Sequence, residues 1–133
     1  MGRRLLLDTG VLINWERGKL PASTIAADDD LCLSVVVVAE YMTGVELAPP
    51  GYRASMERFL DTLLEEVPIL PYDEEIVPSH ARLLAWTRQH GNPRSQHDLI
   101  IAATAAVTGR TILTTDQKAR FHELPGVTSE LVG

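Results

Sequence analysis

Short apolar runs alternate along this chain with longer stretches in which apolar residues recur at helical spacing. Arg4–Leu7 is a continuous apolar strand of the kind buried on both faces of a parallel sheet. Asp8-Thr9-Gly10 turns it into a helical run, Val11–Arg17. Leu20–Asp30 reads as a short helix closed by three acids, Asp28–Asp30, a solvated charge run. Leu31–Ser34 reads as a second strand, with Ser34 as the N-cap of a helix to about Leu47. Four valines at 35–38 would favour a longer strand, but Val35, Val38, Ala39 and Met42 keep helical spacing. Pro49-Pro50-Gly51 breaks the chain. The stripe Met56, Phe59, Leu60, Leu63 and Leu64 then marks an amphipathic helix, with a core or a partner as its counterpart. Val67–Leu70 is a third strand, and a helix from about Pro78 ends at His90 with Gly91 as its C′ residue.

The stretch Ser95–Asp116 organises the rest. A polar entrance, Ser95-Gln96-His97-Asp98, leads into an almost wholly apolar helix, Leu99–Val107, whose alanines let it lie close to a sheet. Gly109 stops it, Thr111–Leu113 forms a β-branched strand, and Asp116 stands just past the strand end. Gln117–His122 is expected as a short helix with Phe121 turned inward, and Val127–Ser129 as a last edge strand. The alternation gives one α/β domain over residues 1–133 with a central, mostly parallel sheet.

Composition narrows the class. No apolar run is long enough to span a membrane, and Asp8 cuts the Leu5–Leu7 run too short for a signal peptide. The single cysteine, Cys32, lies between two leucines, which suits the core and a reducing cytoplasm. A net charge of −6 argues against nucleic acid unless several acids share a cation site.

The acids therefore decide. Asp8, Glu40 and Asp116 each fall just past a strand end or in the next helix's first turns, and Asp98 lies in a helix's first turn. Each has a capping or surface explanation of similar weight; for Asp98 the Ser95–Asp98 capping box is a strong one. Four on one rim of a sheet do not, because clustered carboxylates repel and one would protonate without a cation. Oxygen-only donors point to a hard ion, Mg²⁺ or Mn²⁺.

The ordered set LLLDTGVL, SVVVVAEYMTGVE, HDLIIAATAAVTG and TILTTDQKARF resembles the PIN-domain ribonucleases, and among them the VapC-type toxins of bacterial toxin–antitoxin pairs. The resemblance spans nearly the whole chain. It implies a three-layer α/β/α domain and Mg²⁺- or Mn²⁺-dependent cleavage of RNA phosphodiesters. It makes Asp8, Glu40, Asp98 and Asp116 the catalytic and metal-binding quartet. It also implies Thr9 and Thr115 beside the site, a homodimer, and an antitoxin covering the acids with an Arg-bearing segment. His97 is a candidate phosphate contact, as are Arg94 and Lys118. A response-regulator receiver fails because Asp8 is followed by Thr9 rather than an acid, and a haloacid-dehalogenase-type phosphatase because Gly10 occupies the second acid's place. A PIN-like module that binds without cutting and a housekeeping RNA-processing nuclease are the alternatives.

Overall fold

The computed structural model describes residues 2–133. Five strands, β1 (Arg4–Leu7), β2 (Asp30–Ser34), β3 (Ile69–Leu70), β4 (Thr111–Thr114) and β5 (Thr128–Leu131), form one sheet in the order β3-β2-β1-β4-β5. All four pairings are parallel, with Leu6 of β1 in register with Cys32 and Ile112. Helices α1 (Thr9–Glu16), α2 (Val35–Leu47), α3 (Pro50–Glu66), α4 (Val77–Gln89) and α5 (Gln96–Thr108) flank it, giving the expected α/β/α layering.

The core explains the order. Leu5, Leu6 and Leu7 are wholly buried, as are Leu33, Ile112 and Leu113 on the neighbouring strands. A strand apolar at consecutive positions needs cover on both faces, which places β1 at the centre. Ala102, Ala103 and Ala105 are buried where α5 approaches, and α5 ends on Gly109 at φ 65°, a left-handed turn that favours glycine. The stripe of α3 faces the core: Met56, Leu60 and Leu63 are buried, and Phe59 packs edge-on against Trp15. Cys32 is buried, and burial pushes its thiol pKa up, so it is a core residue. Among the described residues no helix is long and apolar enough to cross a membrane.

Five local expectations change. Leu20–Asp30 forms turns rather than a helix, because the Asp29 carboxylate takes the N–H groups of Ala26 and Arg3 and competes with helical bonding. The same contact removes Asp29 from the solvated face: its side chain is 2% exposed and paired with Arg3 at 2.8 Å. The third strand shortens to Ile69–Leu70, since Val67 caps α3 and Pro68 has no N–H to give a ladder. Gln117–His122 makes a turn and then one 3₁₀ turn at Phe121–Glu123, with Arg120 in the left-handed region at φ 47°. The last strand starts at Thr128 and pairs along β4 as far as Leu131.

Candidate active site

The order β3-β2-β1-β4-β5 reverses direction at β1, and in such sheets the crevice lies outside the carboxyl ends of the strands flanking the reversal. Asp8 is the residue immediately after β1, and Asp116 lies two residues past β4. Glu40 is in the second turn of α2, which follows β2 directly, and Asp98 is in the first turn of α5. Each helix runs back against the sheet, so its N-terminus returns to this rim.

Hydrogen bonds link Asp8, Glu40 and Asp116 in a chain. Asp8 is 8% exposed and caps α1, its Oδ1 accepting the Thr9 N–H at 2.9 Å. Its Oδ2 accepts the Thr114 hydroxyl at 2.7 Å, and the Thr114 oxygen in turn accepts the Asp116 N–H at 3.0 Å. The Thr9 hydroxyl donates to Glu40 Oε2 at 3.4 Å, and His97 Nδ1 lies 3.3 Å from Glu40 Oε1. Two threonines and one histidine thus tie β1, α2, α5 and β4 together at one end.

The electrostatics agree with the geometry. Burial raises the pKa of Asp8, partly offset by the Thr114 and Thr9 donors, and the charge of Asp116 raises it further. Burial also raises Asp98, against the Ser95 hydroxyl, and the charges of Asp8, Asp116 and Glu40 all add to the rise. Asp98 therefore senses the other three acids. Among the described residues no Lys or Arg pairs with any of the four.

Capping accounts for some of these acids in part. Asp116 Oδ1 accepts the N–H groups of Lys118 and Ala119 and so holds its own turn. The capping oxygen of α5 is the Ser95 hydroxyl, which accepts the Asp98 N–H at 3.1 Å, and among the described residues no backbone amide donates to the Asp98 carboxylate. The partner of the Asp98 carboxylate at its helix end is the Ser95 hydroxyl alone among the described residues.

Two neighbouring residues differ from expectation. Thr114, which the sequence did not single out, bridges Asp8 and Asp116, while Thr115 lies beside the site against Gly10, where a Cβ would come within 2.1 Å of its hydroxyl oxygen. Strand alternation carried no signal for it, since Ile112, Leu113 and Thr114 are all buried; the pairing of β4 with β1 brings it to Asp8. Arg94 is not a phosphate contact. Its side chain is 1% exposed, and its donors go to the carbonyls of Asn92, Ala119 and Arg120 and to Glu123. His97 is 59% exposed beside Glu40, and Lys118 is exposed in the turn after Asp116.

Oxygen-only donors, two of them with raised pKa values and none neutralised by Lys or Arg, match in kind what a hard divalent cation takes. As the side chains stand, no three of His, Cys, Asp or Glu among the described residues converge closely enough to hold an ion together. A cation would have to draw the carboxylates inward.

The PIN domain family model matches residues 5–127. This chain belongs to the PIN domain family. Ribonuclease VapC1 of Rickettsia felis is 29% identical over 124 residues, covering 92% of each chain. Toxin FitB of Neisseria gonorrhoeae is 31% identical over 126 residues, 88% of this chain and 91% of that one. The crystal structure of VapBC-5 from Mycobacterium tuberculosis, a member of the VapBC family of toxin–antitoxin systems, aligns with a TM-score of 0.76 at 29% identity over 97% of both chains. The PIN domain sheet, with its acids at the carboxyl rim, is the frame for the chemistry.

Proposed function

We propose that this PIN domain chain is a divalent-metal-dependent endoribonuclease and the toxin of a toxin–antitoxin pair. The observation that carries the reading is the set of four carboxylates at one sheet rim, two with raised pKa values, without a Lys or Arg partner. Relatives named as a ribonuclease and a toxin, and a neighbour solved within a toxin–antitoxin family, support it.

Asp8, Asp98 and Glu40 would hold Mg²⁺ or Mn²⁺, with Asp116 holding a second ion or a ligand water. The ion would offset the clustered charge, lower the pKa of an attacking water and stabilise the leaving oxygen of an RNA phosphodiester. Thr114 orients Asp8 through its 2.7 Å bond, and Thr9 and His97 orient Glu40. No side chain here serves as nucleophile. The partner is an antitoxin that presents a cationic side chain to the rim, where a charge-assisted bond to carboxylate would form. We place the protein in the cytoplasm, as a homodimer.

Cleavage of a cellular RNA pool by purified protein, with Mg²⁺ or Mn²⁺ against EDTA and with Asp8→Asn alongside, tests the reading. Metal-dependent cuts at discrete sites, lost in Asp8→Asn, are expected. A folded, antitoxin-free protein that cuts nothing in either metal would favour a PIN-like module that binds without cutting.

A further inference from the structure

Beyond Asp116 the rim continues into a second feature that none of the acids explains. A cavity of about 450 Å³ opens between the ends of β4 and β5, lined by Thr114, Asp116, Gln117, Arg120, His122 and Ser129, with Phe121 also in its wall. It shares Thr114 and Asp116 with the acid cluster, so a ligand seated in it touches the proposed reaction centre.

The wall is built rather than loose. Asp116 Oδ1 holds the amides of Lys118 and Ala119, and buried Arg94 holds the carbonyls of Ala119 and Arg120 from the other side. The Arg120 guanidinium bonds Asn92 Oδ1, and Phe121 is 1% exposed. These contacts surround Arg120, a residue held in the left-handed region at φ 47°. Arg94, placed by sequence as a phosphate contact, is instead the strap that joins the segment before α5 to this wall.

We propose that this cavity is a nucleobase subsite that seats the base next to the scissile phosphate and prefers a purine. The proposal rests on the nuclease reading for its link to cleavage. A mixed cavity carrying an amide, a guanidinium, an imidazole and a hydroxyl suits an unpaired base, which offers an apolar face and a hydrogen-bonding edge. Of the lining side chains, Gln117 can pair with the N7 acceptor and N6–H donor of adenine, and Arg120 with the two acceptors, N7 and O6, of guanine. The acids cannot supply this selectivity, because phosphate and metal look the same along any RNA.

The test uses backbone amide NMR of the whole protein, titrated at millimolar concentration with AMP, GMP, CMP, UMP and ribose 5-phosphate. The purine nucleotides are expected to shift the amides of residues 117–122 and 129–131, well beyond the pyrimidines and ribose 5-phosphate. Gln117→Ala, a change at an exposed position, is expected to weaken purine binding at least ~5-fold. Equal shifts from all four nucleotides, the same shifts from ribose 5-phosphate, or none in these segments would overturn the subsite. Cleavage of an RNA library separates the two ideas. If the wild type cuts, Gln117→Ala should relax the preference at one position flanking the cut; an unchanged preference overturns the subsite alone. Purine binding without cleavage would leave the subsite standing and remove the nuclease.

Discussion

The two ends of the same sheet treat their acids in opposite ways. At the amino end, Asp29 is held by Arg3 at 2.8 Å and Asp30 by Arg110 at 3.2 Å, and the Asp29 carboxyl is held well below the usual range, chiefly by its hydrogen bond to Arg3. Arg110 also donates to the carbonyls of Leu5 and Asp30, so it ties β1 to β2. At the carboxyl end, Asp8, Glu40 and Asp116 share threonines and one histidine, and the pKa values of Asp8 and Asp98 are raised, chiefly by burial. One end uses charge to close the fold. The other leaves negative charge uncompensated, which costs stability and gives a cation or a cationic partner something to bind. Strain stored at one rim and stability supplied elsewhere is the pattern of a functional site.

Removing charge from each end should break this contrast in opposite directions. Asp98→Asn should lower kcat/KM for RNA by roughly 10²–10³-fold or more, the scale for losing one preorganised electrostatic group. The same variant should melt no lower than the wild type in EDTA, as measured by calorimetry. A large drop in Tm would make Asp98 a structural cap instead. Arg110→Ala should do the reverse: leave metal affinity within a few-fold and cost about 1–3 kcal/mol in denaturant titration, because it takes the donor from the Leu5 and Asp30 carbonyls.

Thr114→Val and Thr115→Val sharpen the picture within the acidic rim. Thr114→Val removes the donor to Asp8 and the acceptor for the Asp116 N–H, and should cost about 1–2 kcal/mol. Because that donor holds the Asp8 pKa down, its loss should also move the acid limb of the metal-dependent rate profile to higher pH. Thr115→Val keeps both bonds and should leave that limb in place. A shift with Thr115→Val instead would give Thr115 the link to Asp8 that the Thr114 hydroxyl makes here.

The smallest effect is in pH. Asp98 has a folded pKa above its ordinary 3.8. Below 3.8 it is protonated in both states and contributes nothing. As pH rises from there through the folded value, the unfolded chain ionises first, so stability falls, and the penalty is complete above that window. The Tm of metal-free Asp98→Asn should therefore exceed the wild type at pH 7, with the difference closing toward pH 4. Asp29, lowered from 3.8, has the opposite sign: its stabilisation is present above 3.8 and is lost as pH falls toward its folded value. Asp29→Asn should thus lower Tm at neutral pH and lose that effect only in strong acid.

The sequence by itself determined the class of fold and most of its elements. Continuous apolar runs at Leu5–Leu7 and Leu31–Leu33 read as strands, and Ser34, Ser95 and Gly109 marked helix ends through local backbone chemistry. The four acids were visible as well, because their place relative to strand ends is a matter of position along the chain. Tertiary structure alone decided what each side chain is spent on. Asp29 reads as one of three surface acids until Arg3, 26 positions away, is brought against it. Arg94 reads as a free cation until the Ala119 and Arg120 carbonyls arrive from the far side of β4. Thr114 and Thr115 are equivalent in composition, and the parallel pairing of β4 with β1 sets which of them meets Asp8. Local periodicity records backbone preference, whereas partnership of polar groups depends on long-range contacts that no spacing along the chain encodes.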